Sequence, residues 1–320
     1  MARKRASYDK ELGALAGVTG ASEDERIILR KAMASKHNVV CARAAAIVAE
    51  YDVGAVTPGL VDAFERFVEA PKTDAGCIAK EAIADALNAL EHFDAAPFLL
   101  GVRHIQREPV WGGSVDTAAS LRAQCAAGLA RLDHPGIYFI LVDLLMDPEI
   151  EARRGAVRAL GYLAQEESEL LLRMHVQNGL DAPAVFAECF SVLARINPGR
   201  SIEFLTRFID SEIEETAAGA LLALGETRTD EAATILMERW ERTVLAAEKK
   251  TLLLPLALTR HERAMALLLS AVREESPSVA KEAIAVLAQF ASNESVREKV
   301  AAIVDERAEN ALRAAFDAGF

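Results

Sequence analysis

Along most of this chain, apolar residues recur three and four positions apart, and small residues crowd in just ahead of a leucine. That spacing marks one face of a helix. Four segments align on the pattern: 81–90, 154–163, 215–224 and 281–290. Weaker copies run over 123–132, 186–196 and 249–258, and 41–51 reads as the first copy. The aligned leucines are Leu87, Leu129, Leu160, Leu193, Leu221, Leu254 and Leu287, separated by 42, 31, 33, 28, 33 and 33 residues. Each gap holds two helices and two short connections. Alanine and glycine fit a helix packed between neighbours on both sides, and the leucines fill the space between hairpins. A second apolar helix follows each copy, over 60–68, 98–105, 137–145, 170–176, 202–209, 232–240, 264–272 and 296–304. The sequence therefore predicts an all-α solenoid of about eight helical hairpins. A preceding helix is expected around 23–35 and a capping helix over 306–320. Val and Ile do not alternate, so strands are not indicated.

Turn chemistry punctuates the pattern at 57–59, 133–136, 197–199 and 276–278, each with a proline. The opening Met-Ala-Arg-Lys-Arg is basic, and residues 1–20 read as a basic, flexible arm ahead of one solenoid over 21–320. One gap is about ten residues too long. The excess falls in 107–117, which holds Pro109, Trp111, Gly112 and Gly113. Insertions in repeat arrays tend to emerge on one face, often the binding face. Gly112-Gly113 offers positive φ, and Asp116 or Thr117 offers a cap for the next helix.

Composition sharpens the functional reading. Aromatics are 6% of the chain, charged residues 26%, and the formal net charge is −12. An acidic body disfavours nucleic acid, because phosphate neutralisation needs clustered Lys and Arg. Cys41, Cys77, Cys125 and Cys189 lie far apart in apolar stretches and read as buried hydrophobes. The six histidines show no metal-ligand spacing, so neither a metal nor another cofactor is expected. Nucleotide-binding loops and a nucleophile elbow are absent. No apolar run is long enough to span a membrane, no targeting segment is visible, and a cytoplasmic location is the expectation.

Residues 147–163 resemble the HEAT-like repeat of the phycobilisome-lyase type, which opens with Asp, continues through Val and Arg, and closes Ala-Leu-Gly. Residues 210–225 and 276–290 resemble it too, and the likeness covers roughly 36–305. It implies the architecture. Such repeats serve lyases, glycosylases, adaptors and scaffolds alike.

Two sets of residues are candidates for partner binding. Trp111 and Asp116 sit in the insertion. They invite comparison with HEAT-like DNA glycosylases, but that motif has no residue-by-residue match here. Arg103, Arg173, Arg207 and Arg239 recur, with Arg66, late in the second helices. Their cationic ends suit the helix dipole. In HEAT-like arrays the second helices line the groove, where such a ladder would hold an acidic or mixed protein segment. The reading is a non-enzymatic interaction scaffold; the alternative is a HEAT-like lyase or DNA-glycosylase-type enzyme or accessory.

Overall fold

The computed structural model describes residues 2–320, with side chains from residue 8 onward. The chain is an all-α solenoid, built as two compact units, 1–171 and 172–320.

In the first unit, α1 (Ala2–Ala14) and α2 (Glu23–Met33) precede the repeats. The pairs are α3 (Asn38–Glu50) with α4 (Thr57–Glu69), α5 (Ile78–Ala89) with α6 (Ala96–Gly101), and α7 (Ala119–Arg131) with α8 (Ile137–Leu145). Then comes α9 (Ile150–Leu163), followed by α10 (Glu166–Asn178), within which the two units meet in sequence. The second unit holds α11 (Pro183–Ile196) with α12 (Pro198–Thr206), α13 (Glu214–Thr227) with α14 (Asp230–Arg242), and α15 (Ala246–Thr259) with α16 (Glu262–Glu274). It ends with α17 (Pro277–Leu287), α18 (Glu294–Arg307) and the cap α19 (Asn310–Gly319).

First helices pack side by side, α3 on α5, α5 on α7 and α7 on α9; in the second unit the row runs α11, α13, α15, α17 and α19. Their small residues explain the closeness. A Cβ added to Gly155 would stand 2.3 Å from the Ala123 Cβ, and one on Gly219 would stand 2.7 Å from that of Ala187. Leu87, Leu129, Leu160, Leu193, Leu221 and Leu287 are all buried, as the repeat predicts. The sixth anchor is corrected. Leu254 is half-buried, and Leu253 fills the core instead, at the eighth position of α15, matching Leu221 in α13.

Three further expectations are revised. The stretch 1–20 is not simply an arm: it carries α1, and beyond α1 both Leu15 and Val18 are buried. Gly20 there takes φ +80°, with Val53 in the space a side chain would need. The prolines at 58, 198 and 277 do not sit in turns but in the first turn of α4, α12 and α17. There the missing N–H costs nothing, since the first helical N–H groups have no intrahelical acceptor. And the 107–117 insertion is not irregular. It is an antiparallel β-hairpin, β1 (Arg107–Val110) and β2 (Gly113–Asp116), the one sheet among the described residues. Ahead of it α6 stops at Gly101, short of the expected 105, with Val102 as its C-cap.

Candidate functional site

The connections entering the first helices of the first unit carry its densest polar chemistry. Asp74 precedes α5, Asp116 precedes α7 and Asp147 precedes α9. Each carboxylate accepts backbone N–H groups at the helix start. Asp74 takes those of Ala79 and Lys80, Asp116 that of Ala118, and Asp147 that of Glu149. This satisfies donors that a helix N-terminus leaves orphaned and places negative charge at the positive end of the dipole.

A basic residue stands six positions after each of these aspartates: Lys80, Arg122 and Arg153. Lys80 pairs with Asp74 at 2.9 Å, and both side chains are fully buried. Arg122 lies between two repeats. It meets Asp116 at 2.8 Å and Asp147 at 2.8 Å, and donates to the His104 carbonyl at 2.9 Å. Burial works against its charge, but the two carboxylates outweigh that and raise its pKa further. Burial alone would lift Asp116; bonds from the Ala118 and Gln106 N–H groups and from Arg122 hold its pKa below the ordinary range. The cap expected at Asp116 or Thr117 is corrected: Ala118 is the N-cap of α7 and makes no side-chain cap bond, while Asp116 accepts the Ala118 N–H just ahead of the helix. As a residue open to a partner Asp116 is corrected too, since its side chain is 3% exposed and engaged on both oxygens.

The hairpin grows out of this polar base. Glu108 on β1 accepts from the Gly76 N–H at 2.6 Å, from Gln106 Nε2 at 2.6 Å and from the Thr117 hydroxyl at 3.1 Å. Those bonds hold its pKa below the usual glutamate value. Gln106 is buried and donates to the Asp74 carbonyl at 2.8 Å. A two-stranded hairpin is marginal alone in water; this one is tied at its root to the α5 cap and the Arg122 bridge.

At the far end Trp111 is fully exposed (103%). Gly112 follows with φ +90°, a conformation glycine adopts without strain. Val110 and Val115 lie on one face of the hairpin and are nearly half exposed. Ile105, beside His104, and Met146, beside Asp147, are also exposed. Because Arg122 binds both His104 and Asp147, these two side chains flank one knot at the hairpin's root.

The arginines expected to form a ladder are not one set. Arg103 is exposed just past α6 in the first unit. In the second unit Arg173 and Arg207 come together on the Phe204 ring, at 4.8 and 5.6 Å from its centre, and Arg173 also donates to the Arg200 carbonyl at 2.7 Å. Arg239 pairs with Asp210. Arg66 donates to the Met33 and Ser35 carbonyls at the end of α2, and Arg307 to those of Val272 and Glu275 at the end of α16. Several of these cations therefore staple neighbouring helix ends, where carbonyls are left unbonded.

Nothing in the spacing alone pointed to Asp74, Lys80, Gln106 or Glu108, although the Asp-to-base interval of six was readable at three places. Glu81, in the first turn of α5, is half-buried. Burial, then Asp85 and Asp74, push its pKa up to about 7. The four cysteines are buried and free, with burial raising Cys77 to about 11 and Cys41 to about 12. Among the described residues no group of three potential metal ligands gathers, and no helix is long and apolar enough to cross a membrane.

No family model matches the chain, and no curated protein matches it. Among solved structures, it is similar to the complex of CpcE and CpcF of phycocyanin lyase from Nostoc sp. PCC7120. Identity there is 14% and the TM-score 0.39, over 75% of this chain and 92% of that one. An engineered protein matches at 18% identity and TM-score 0.35, over 93% and 88%. Human deoxyhypusine hydroxylase in complex with glycerol matches at 20% identity and TM-score 0.30, over 85% and 96%. At these values none of the three carries an argument about what this chain does.

Proposed function

We propose that this protein is an interaction module that presents the 107–116 hairpin to a partner protein, with Trp111 as its anchor. One observation carries the reading: a fully exposed tryptophan at the tip of a hairpin whose root is locked by buried ion pairs and hydrogen bonds. Exposing a large aromatic is costly in water, and tryptophan is among the residues that most often dominate binding energy at interfaces. The locked root means little ordering entropy remains to be lost on docking. Val110, Val115 and Ile105 supply an apolar surround; Arg103 is exposed beyond α6, and Arg107 projects from the hairpin's opposite face. Arg173, Arg207 and Arg239 belong to helix-end contacts in the second unit and are secondary to this reading.

The test is photocrosslinking in the source cells from position 111, with Trp111→p-benzoylphenylalanine. The expected result is one protein captured repeatedly from this position, lost when Val110→Asp and Val115→Asp are added. The same label at Glu294 on α18 should not capture it. An identical set of captured proteins from both positions would overturn the reading.

A further inference from the structure

The hairpin's hydrogen-bonding pattern says more about the partner than its apolar tip does. The Thr117 N–H donates to the Gln106 carbonyl at 2.9 Å, so residues 106 and 117 form a bonded pair across the ladder. Alternation along an antiparallel pair then makes Glu108 with Val115, and Val110 with Gly113, bonded pairs. Arg107 and Pro109 on β1, and Ser114 and Asp116 on β2, turn their backbone groups outward.

The two outer edges differ. On β1 the exposed outward positions are Arg107 and Pro109; Pro109, the one nearer the tip, has no N–H to give, the usual way a sheet edge is closed to further strands. On β2 it is Ser114, exposed, with both N–H and C=O directed away from β1 and no bond to any described residue. No proline or bulge guards that edge, and the carboxylate of Asp116, its other outward position, is held in the Arg122 bridge. Val115 and Val110 offer an apolar strip on one face, while Arg107 projects from the other; neither Arg107 nor Arg103 has an acidic partner among the described residues.

We propose, building on the reading of the hairpin as the docking element, that the outer edge of β2 takes up an extended segment of a partner protein as a third strand. The segment carries aliphatic side chains at alternate positions, set against Val115 and Val110, and a carboxylate on its other face within reach of Arg107. Main-chain bonds to Ser114 supply affinity, and the alternating side chains supply selectivity. A second copy of this chain fits less well. Four residues of strand make an edge only about 13 Å long, which by itself cannot bury the roughly 800 Å² per partner of a stable dimer. A short linear segment matches an edge of this length.

The probe is a phage-displayed library of random dodecapeptides, selected on the intact protein and followed by binding assays with the enriched synthetic peptides. Enriched sequences should alternate aliphatic and polar residues and include an acid. They should bind Ser114→Ala like the parent and Ser114→Pro about tenfold or more weakly, since proline removes one outward donor and blocks strand approach. Ser114→Pro breaks no bond of the hairpin itself, because Pro109 already occupies the facing outward position. Arg107→Glu should weaken binding several-fold, and the Ser114 amide of the parent should become protected from hydrogen exchange when peptide binds. Failure to enrich any peptide, or enriched peptides that bind Ser114→Pro as tightly as the parent, would overturn the edge proposal. Peptides lost with Trp111→Ala but not with Ser114→Pro would sink the edge and leave the hairpin reading standing. Peptides indifferent to both would sink both.

Discussion

Arg122 grips Asp147 with two sides of its guanidinium, Nε to Oδ2 at 2.8 Å and Nη2 to Oδ1 at 2.9 Å, across 25 residues of chain. This planar fork is a geometry that lysine does not reproduce. With its remaining nitrogen on Asp116 and on the His104 carbonyl, Arg122 joins α7, α9 and the hairpin's root.

Arg122→Met should therefore cost about 3–5 kcal/mol, because it strands two carboxylates that are largely out of water. Arg122→Lys should lose part of that. Urea denaturation measures both, and hydrogen exchange at Gln106 and Thr117 should quicken in the methionine variant as the root loosens. A loss below about 1 kcal/mol with unchanged exchange would show that the bridge is incidental.

The corrected register of the sixth repeat has its own test. Leu253→Ala should destabilise by about 2–5 kcal/mol, the usual cost of a core cavity, as should Leu160→Ala. Leu254→Ala, at a half-buried position, should cost clearly less. Equal losses at 253 and 254 would contradict the packing described for α15.

Close approach of first helices predicts intolerance at Gly155. A Cβ there meets the Ala123 Cβ at 2.3 Å and its Cα at 2.5 Å, so backbone as well as side chain must move. Gly155→Ala should destabilise by about 1–3 kcal/mol despite its better helix propensity. A thermal melt showing stabilisation would mean that α7 and α9 can separate freely.

Glu81 predicts a pH dependence. Its folded pKa is raised to about 7 from the ordinary 4.5, so between those values the folded chain binds more protons than the unfolded one. Stability from this group is present below about 4.5 and is lost as pH rises through about 7. Glu81→Gln should raise the melting temperature relative to the parent at pH 8, with the difference vanishing near pH 4. A difference of the same size at both pH values would rule out the ionisation as its cause.

Trp111 should behave as a surface group. Trp111→Ala should leave urea stability within about 0.5 kcal/mol, as for other surface changes that remove no cap or core contact. The other tryptophan, Trp240, is buried; in a Trp240→Phe background the emission of Trp111 should be red and readily quenched by acrylamide. Protected emission would place the ring against the body of the protein or in a self-associated state.

Periodicity alone determined the helical pairs, their number, all but one of the leucine anchors and the cap, because a repeat unit that cannot bury its apolar face by itself must announce that face at every period. Trp111 and the insertion were legible for the same reason, as an interruption of the period. The form of the insertion was not. Residues 107–116 become a hairpin because Glu108 finds Gly76 and Gln106 finds Asp74, partners roughly thirty residues away that local propensity does not encode. Tertiary structure likewise decided which acids and bases are free. Asp116 and Arg66 read like surface charges in the sequence, and each is engaged by another segment of the chain. The one-residue slip at Leu254 has a related cause: in a run of leucines at 252–254, only contact with the neighbouring helices selects that Leu252 and Leu253 face inward and Leu254 less so.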